Sequence, residues 1–502
     1  MILGPTMSSV IPDRESGNTP TRADGLILGE LNSRKLWVLL SVIAIVQAVY
    51  FIRVQQAYPP QGLSTQPSYS ALAVNLMQHG IYGFGDAPDI EFTTFRPPLY
   101  SVWLAGVYAV FGVNETVALA LNNILLLLCV VGVYLVGARF AWMAALPWPE
   151  RLGLLAAALF FMDPINVVTV NKNQADVLFT LGMITFFLVA LRCFSRDVKA
   201  RDVAIAGLVL GIATLTRATS LYLWVVVIAA FIGVHLWILK HVSVRRLSVL
   251  CLLFSLTYGA MVVPWMVRNH AVTGNADFAG MKATHLLNFF VPLVIAETEG
   301  RDHEEVKQAI FAQLNAEPAY AELASGEREK LHKERATELL RLHPVAAVIV
   351  VLRHVPVLFL DYPLAAGTVL LNGESQMAAE RFFSDVSSGK TSRFDVTHYG
   401  RAVKEGLSRG VLFPLAHAGI SKAYLLLLAL LGLMGGISLL RSREARAVSV
   451  FAFTCVIYLV LISSTWSQAR LRMPIAPMVA VFCSYWLLAS WERFKGSRRA
   501  EE

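Results

Sequence analysis

The chain has 502 residues, of which 56% are hydrophobic and 16% charged, with a formal net charge of +8 and a mean hydropathy of +0.57. Because soluble globular proteins carry about 25% charged residues, this composition excludes an ordinary soluble domain and predicts an all-α polytopic membrane protein. The cations cluster in short loops between apolar runs, a pattern typical of membrane topology and not of nucleic-acid binding. The cysteines lie in or beside apolar segments without a CxxC pair, so neither a disulfide framework nor a zinc site is predicted.

The apolar runs predict about ten membrane-spanning helices, each long enough to cross roughly 30 Å of hydrocarbon. They lie near residues 36–53, 117–138, 152–170, 177–194, 203–217, 219–239, 248–267, 422–440, 447–463 and 474–491. Basic residues are concentrated in alternate loops, for example Arg34 and Lys35 before the first span and Arg196 and Lys199 after the fourth. The positive-inside rule predicts that these loops and both termini are cytoplasmic.

Between the spans, the chain divides into segments of different composition. The predicted division is a cytoplasmic tail at 1–35, an N-terminal transmembrane bundle at 36–267 with a large outer loop at 54–116, a large extracytoplasmic loop at 268–421, C-terminal transmembrane helices at 422–491, and a cytoplasmic tail at 492–502. The charged stretch Arg301–Leu342 predicts one or two water-exposed helices. The apolar stretches 97–112 and Pro344–Leu360 are predicted as interfacial or buried helices, since a span at the second would invert the charge pattern of every later loop.

Charged residues recur at the predicted outer ends of the helices. They are Arg96, Lys172, Asp176, Arg217, Arg268, Arg470 and Arg472. Cations are disfavoured in short outer loops and are costly near the hydrocarbon, so this set needs an explanation. The functional hypothesis is an anion site for a lipid-linked phosphate, because arginine forks onto phosphate oxygens. The alternative is that these side chains reach lipid headgroups and pair with acidic residues.

A series of short motifs follows the same regions in order. They are Tyr69-x3-Ala73-x-Asn75-Leu76, Gly80-Ile81-Tyr82-Gly83-Phe84, Arg96-Pro97-Pro98-Leu99-Tyr100, Gly207 to Arg217, Pro264-Trp265-Met266-Val267-Arg268-Asn269 and Arg470-Leu471-Arg472-Met473-Pro474-Ile475-Ala476-Pro477. Together they resemble the GT-C integral-membrane glycosyltransferases, in the family 39-like branch of the protein mannosyltransferases and aminoarabinose transferases. The motifs are specific for the superfamily and not for a substrate.

The resemblance implies a GT-C-type helix bundle in a bacterial-type plasma (inner) membrane, with extracytoplasmic loops and interfacial helices. It implies a polyprenyl-phosphate-linked sugar as donor and a lipid, glycan or protein acceptor, with the active site on the extracytoplasmic face. By the same resemblance Arg96 approaches the donor phosphate, and Arg268, Arg470 and Arg472 line the cavity. Tyr69, Tyr82, Lys172 and Arg217 complete the predicted substrate-binding set. No cofactor is predicted, and dependence on a divalent metal stays open.

The chain departs from the family pattern at one position of the first outer loop. The family has an aspartate there, four residues before the position of Tyr69, whereas this chain has Thr65. Transfer of a sugar needs a base or charge partner for the acceptor hydroxyl. The candidate catalytic acids are therefore Asp89, Glu91 and Asp176. The first two are alternatively solvated loop acids or partners of Arg96, and Asp176 is alternatively a partner of Lys172 or Arg217.

Two other classes of function compete with a transferase. The missing aspartate favours a non-catalytic membrane protein that binds a polyprenyl lipid on the same scaffold. A polysaccharide polymerase or ligase, or a flippase, also has large outer loops and arginines, but few polar residues are predicted at mid-membrane here. His270 and His285 lie in the second large loop, either facing the cavity or as ordinary polar residues, and no histidine spacing predicts a metal.

Overall fold

The computed structural model describes residues 33–58, 68–317, 319–320, 323, 325–361, 371, 412–465 and 468–501. The predicted N-terminal tail therefore lies almost entirely outside the described residues. Thr65 and most of 362–411, in the two predicted outer loops, also lie outside them. Within the described ranges the protein is a bundle of helices with one short hairpin, which confirms the predicted all-α membrane fold.

The helices before residue 274 form the larger part of the bundle. They are α1 (Arg34–Ala57), α2 (Tyr69–His79), α3 (Leu99–Phe111), α4 (Glu115–Met143), α5 (Pro149–Met162), α6 (Pro164–Thr169), α7 (Asp176–Cys193), α8 (Ala200–Thr216), α9 (Leu223–Gly233) and α10 (Val244–Thr273). Between α2 and α3, strand β1 (Gly83–Phe84) pairs antiparallel with β2 (Glu91–Phe92). Short helical turns cover Ala218–Ser220 before α9 and Val234–Leu239 after it.

The helices after residue 280 form an outer group and a second membrane group. They are α11 (Met281–His285), α12 (Val291–Glu299), α13 (His303–Ala316), α14 (Ser325–Leu342), α15 (Pro344–Leu360), α16 (Leu412–Arg441), α17 (Arg446–Ser464) and α18 (Ala476–Glu501). A π-helical turn, Leu286–Phe290, joins α11 to α12, and a 3-10 turn, Ala469–Arg472, precedes α18. The predicted water-exposed region 301–342 is thus two helices, α13 and α14.

A helix lies at each of the predicted spans, but fewer helices meet the requirements of length and hydropathy for crossing a membrane. In the described part of the chain seven segments do so: α1, α4, α7, Ala218–Leu239, α10, residues 416–441 of α16, and α17. An eighth is counted if α14 and α15, which are bent by 97° at their junction, form one broken span. Among the others, α8 has only 17 residues. The predicted span 152–170 is divided at Asp163-Pro164, because proline cannot continue the backbone ladder of α5.

Glycines at helix crossings allow the close packing that holds the bundle together. A Cβ atom added at Gly207 would lie 2.5 Å from the Phe254 carbonyl oxygen, and one at Gly211 would lie 3.0 Å from that of Tyr258. These two glycines of α8, one helical turn apart, therefore bring α8 directly against the backbone of α10. Gly435 of α16 meets α18 in the same way. Small residues drive such contacts in membranes, where lipid provides no hydrophobic force between helices.

Candidate active site

Four cations and one carboxylate converge at one end of the helix bundle, referred to below as the outer end. Arg96 follows the β-hairpin, Lys172 lies between α6 and α7, Arg217 separates α8 from the turn before α9, and Arg470 lies in the turn before α18. Asp176 is the first residue of α7. These five residues are called the cation cluster. Charge interactions join Arg470 to Asp176, Arg217 and Arg96, and join Lys172 to Arg470 and Asp176.

The only ion pair described within the cluster joins Arg217 to Asp176. A guanidinium nitrogen of Arg217 donates to a carboxylate oxygen of Asp176, and their side chains are 14% and 2% exposed. Asp176 caps no backbone group of its own helix, so its buried charge is stabilised by this arginine and by the helix N-terminus. Among the described residues one carboxylate lies between four cations, and such an arrangement is suited to an anion.

Arg96 is held over an aromatic surface. Its guanidinium carbon lies 4.3 Å from the centre of the Tyr69 ring. Tyr69 packs edge-on against Tyr100 at 5.0 Å, and Tyr100 stacks on Trp103 at 5.5 Å. This row of rings fixes the plane of the guanidinium through cation–π attraction. Tyr69, which was predicted as a substrate-binding residue, thus contacts Arg96 through its ring.

Burial lowers the pKa of two cluster cations. Desolvation by the surrounding protein lowers the pKa of Arg470, with Arg217 and Arg96 acting in the same direction and Asp176 opposing them. Part of the Lys172 side chain is exposed, yet desolvation also lowers its pKa, and the charge of Arg470 adds to this effect. Desolvation is the main cause of both shifts, and the neighbouring cations add to it, so the charged forms of both side chains are disfavoured here.

An amide network that sequence reasoning missed holds the loop that carries Lys172. The Asn122 amide donates to the Tyr100 hydroxyl at 3.1 Å and to the Lys172 carbonyl at 3.4 Å. The neighbouring Asn123 amide donates to the Asn171 side chain at 3.2 Å. The signal available in the sequence was the pair of adjacent asparagines inside the apolar run of α4, since buried polar residues within a span rarely lack a role.

Arg268 organises the first outer loop and does not join the cation cluster. Its guanidinium donates to the carbonyls of Thr93 at 2.8 Å and Tyr82 at 3.1 Å, and it lies 4.8 Å from the centre of the Trp265 ring. The Tyr82 hydroxyl in turn donates to the carbonyl of Arg96 at 3.1 Å. These bonds position the backbone that carries Arg96. Arg268 and Tyr82 were both predicted to bind substrate, and their described contacts instead hold this loop in place.

Arg472 is engaged in a closed pair away from the cluster. Its guanidinium donates to both carboxylate oxygens of Asp163, at 2.7 and 2.9 Å, and to the Leu358 and Phe359 carbonyls at 2.7 and 3.2 Å. Arg472 is 1% exposed and Asp163 is fully buried. This pair joins α15 to the break between α5 and α6, and leaves the guanidinium facing protein oxygens.

Asp89 and Glu91 lie on the β-hairpin and are exposed. Glu91 occupies β2 opposite Phe84, and the Asp89 amide closes a turn on the Asp86 carbonyl at 2.8 Å. No described hydrogen bond or ion pair joins either carboxylate to the cluster. Of the three candidate acids, only Asp176 is brought among the cations. In the described part of the chain, no three His, Cys, Asp or Glu residues are grouped to hold a metal ion.

His285, at the end of α11, faces the cluster. Burial lowers its pKa to about 3, and the charges of Arg96, Arg470 and Arg217 act in the same direction. Its ring stacks on Phe289 with centroids 5.6 Å apart. The imidazole is therefore neutral at pH 7. Of the two alternatives that the sequence left open for this histidine, its position agrees with the one that faces the cavity.

Proteins similar to this chain are found among solved structures and not among curated sequences. No curated protein matches the sequence. ArnT from Cupriavidus metallidurans bound to undecaprenyl phosphate is 17% identical with a TM-score of 0.39, over 88% of this chain and 78% of that chain. The archaeal oligosaccharyltransferase AglB from Archaeoglobus fulgidus, in complex with an inhibitory peptide and a dolichol-phosphate, is 15% identical with a TM-score of 0.46, over 93% of this chain and 51% of that chain. This chain therefore spans about half the length of the archaeal enzyme.

A family model matches the middle part of the chain. Residues 95–266 match the family described as dolichyl-phosphate-mannose-protein mannosyltransferase. The match begins one residue before Arg96 and contains Lys172, Asp176 and Arg217, so it covers most of the cation cluster. The resemblance seen in the ordered motifs is confirmed over these residues, where the chain is similar to this mannosyltransferase family.

Proposed function

We propose that this protein transfers a sugar from a polyprenyl-phosphate-linked donor to a lipid, glycan or protein acceptor. The observation that carries the proposal is the cation cluster, in which four cations from four separate segments surround the single carboxylate of the described cluster. A phosphate diester matches the surplus positive charge, and guanidinium groups stabilise the negative charge that develops on the leaving phosphate.

The depth of the cluster in the membrane favours a phosphate that is attached to a lipid. The cluster lies where α7 begins, where α8 ends and just before α18 begins, so it is at the depth of one membrane surface. A polyprenyl phosphate presents its phosphate at that depth while its chain stays in the hydrocarbon. The basic loops lie at the opposite ends of these helices, and we therefore propose that the active site is extracytoplasmic and both termini are cytoplasmic. The proposed location is a bacterial-type plasma membrane.

The proposal is tested by lipid-phosphate release from the purified full-length protein. The protein is incubated with a panel of polyprenyl-phosphate sugars and candidate acceptors, and released polyprenyl phosphate is measured. The variant Arg96→Gln is expected to lower the release by about 100-fold, the effect typical of removing one preorganised charge donor. Arg335→Gln is the matched control, because Arg335 is a partly exposed arginine of α14 that pairs with Glu338 and Glu317.

Both outcomes of this experiment are informative. Acceptor-dependent release by the wild type and the control, but not by Arg96→Gln, would support transfer and would identify the sugar. Full activity of Arg96→Gln would contradict the proposed phosphate contact. A functioning relative assayed in parallel shows that the donors and acceptors in the panel are competent.

One observation favours a second function, a non-catalytic protein that binds a polyprenyl lipid. Asp176, the carboxylate of the cation cluster, is paired with Arg217, so the cluster can bind a phosphate without supplying an acidic base. Under this alternative, undecaprenyl phosphate binds and Arg96→Gln weakens the binding, but no sugar is released from any donor. Turnover of any donor in the panel rules it out.

A further inference from the structure

The segment from Thr93 to Arg96 in the first outer loop is held by a hydrogen bond to each of its backbone carbonyls. The donors are the Arg268 guanidinium to Thr93 at 2.8 Å, the Gly280 amide to Thr94 at 3.0 Å, the Met281 amide to Phe95 at 3.1 Å, and the Tyr82 hydroxyl to Arg96 at 3.1 Å. Three of these four donors belong to residues 268–281. The path of the chain into Arg96 is therefore set by a region far along the sequence.

One side chain of helix α14 also reaches this segment. The Glu329 carboxylate accepts a hydrogen bond from the Thr94 hydroxyl at 2.5 Å. Both residues are buried, with Glu329 5% exposed and Thr94 1% exposed. A buried carboxylate is costly unless it is hydrogen-bonded, so the two groups stabilise each other in one geometry. This bond ties α14 to the residue two positions before Arg96.

Gly280 provides the space for the Glu329 carboxylate. Its backbone is right-handed helical, with φ −65° and ψ −28°, so the conformation itself does not require a glycine. A Cβ atom at this position would overlap the carboxylate of Glu329. The carboxylate therefore packs directly on the backbone of the residue that donates to the Thr94 carbonyl. The side-chain bond from α14 and the backbone bond from Gly280 meet at Thr94.

Glu329 differs from the other charged residues of α14 that have described ion pairs. Lys333 pairs with Asp277, and Arg335 pairs with Glu338, but these side chains are 33–62% exposed. Exposed pairs of this kind contribute little to stability. Glu329 is instead turned inward onto the first loop. A fully bonded buried polar contact fixes one arrangement of the groups it joins, which an apolar contact does not do.

We propose that Glu329 is a positioning residue of the sugar transfer, and that by holding Thr94 it sets the place from which Arg96 meets the donor phosphate. This inference rests on the proposed function and deepens it. Charged groups at a reacting centre have to be held to within about 0.5 Å of their productive geometry. Glu329 does not touch the donor, and its effect passes through Thr94 and Arg96. The outer helices thereby become part of the active site.

The variant Gly280→Ala tests the proposal by displacing the carboxylate while both bonding partners stay in the chain. The overlap is with the end of a flexible side chain, and alanine fits the helical backbone, so the fold is expected to be kept. Gly419→Ala in α16 is the matched control, because a Cβ atom there would meet no described atom within 4 Å. With the donor panel, Gly280→Ala is expected to lower kcat by about 10- to 100-fold, the effect of a misplaced catalytic group. Its unfolding temperature is expected to stay within about 4 °C of the wild type's. The control is expected to change neither quantity.

Two substitutions of Glu329 separate its hydrogen bond from its volume. Glu329→Gln keeps an oxygen that can accept from the Thr94 hydroxyl, whereas Glu329→Leu fills a similar space without an acceptor. The glutamine variant is expected to lose only about 3-fold in kcat, because it replaces a charged acceptor by a neutral one. The leucine variant is expected to lose as much as Gly280→Ala. Equal losses in the two variants, or losses of kcat that follow the unfolding temperature across the series, would overturn the inference.

A double-mutant cycle with Arg96→Gln gives a readout that a merely structural role would not move. If Glu329 acts through Arg96, Gly280→Ala lowers kcat in the wild type but has no further effect in Arg96→Gln protein, because interacting sites are not additive. Single-turnover assays at high protein concentration measure the low rates. Additive losses, or a kcat of Gly280→Ala within about 3-fold of the wild type, would overturn the inference and leave the proposed function standing. Failure of the wild type to release polyprenyl phosphate from any donor would overturn both.

Discussion

Two arginine sites at the outer end of the bundle differ in how completely the protein neutralises them. Arg472 donates to both oxygens of Asp163 and to backbone carbonyls of α15, including Leu358. In the cation cluster, four cations share the single carboxylate Asp176 within the described residues. A guanidinium saturated by protein oxygens stabilises the fold, whereas we propose that the cations around Asp176 bind a phosphate. The number of protein acceptors around an arginine therefore separates the two roles.

Breaking the closed site is expected to have the largest effect. The variant Arg472→Gln leaves the buried Asp163 carboxylate uncompensated, and loss of one partner of a buried pair costs about 3–5 kcal/mol in the free energy of unfolding. Asp163 also accepts a hydrogen bond from the Ile165 amide at 3.1 Å and so caps α6. Removing the Arg472 partner is therefore expected to destabilise the junction between α5 and α6 as well. Thermal unfolding of the purified protein measures the change.

The control for this prediction is Arg335→Gln, a change at a partly exposed surface arginine of α14. Surface substitutions of this kind change stability by about 0.5 kcal/mol or less. If Arg472→Gln unfolded at the same temperature as the wild type but lost lipid-phosphate binding, the division between the two arginine sites would be wrong. Arg472 would then belong to the ligand site, as the family resemblance implies.

The sequence predicted the helices and the segments that meet at the outer end, because these follow from hydropathy and charge in consecutive residues. It did not separate Arg470 from Arg472, which lie two positions apart in one motif. Their roles differ because one faces the cluster and the other faces Asp163, some 300 residues away in the chain. The sequence left the position of His285 open between two alternatives for the same reason, since its place beside the cluster depends on arginines from three distant segments.

The number of membrane-spanning helices shows a second limit of prediction from the sequence. Hydropathy alone joined α5 and α6 into one predicted span, although the Asp163-Pro164 pair divides them. The role of that pair depends on Arg472, which bonds the aspartate from the other end of the chain. The Asp163-Pro164 pair predicts a break in the helix from local sequence alone. What the break does in the fold follows only from its contact with Arg472.

A smaller effect is expected from removing the one carboxylate of the open site. The variant Asp176→Asn keeps a hydrogen-bonding group beside Arg217 and raises the net positive charge of the cluster by one. Undecaprenyl phosphate is therefore expected to bind more tightly, by a change on the order of 1 kcal/mol for one partly screened charge. Equilibrium binding at fixed ionic strength measures it. Weaker binding would show instead that Asp176 is needed to aim Arg217 at the ligand.

The smallest effect concerns the pH dependence of the open site. The lowered pKa of Lys172 means that its ammonium group loses its proton at a lower pH than an ordinary lysine. Affinity for undecaprenyl phosphate is therefore expected to fall as the pH rises from about 7 to about 9.5, by on the order of 1 kcal/mol or less. The lipid phosphate does not contribute to the change, because its second pKa is about 6.

The variant Lys172→Arg separates this titration from that of a neighbour. Burial lowers the pKa of Lys282, which lies over the Tyr222 ring on the adjoining surface, to about 8, so Lys282 loses charge in the same range. An arginine at position 172 stays charged throughout and is expected to flatten the decline in affinity, whereas Lys282→Arg is expected to leave it in place. If Lys282→Arg flattened the decline and Lys172→Arg did not, the surplus charge that binds the phosphate would extend along α11, and the boundary of the cation cluster would have to include that helix.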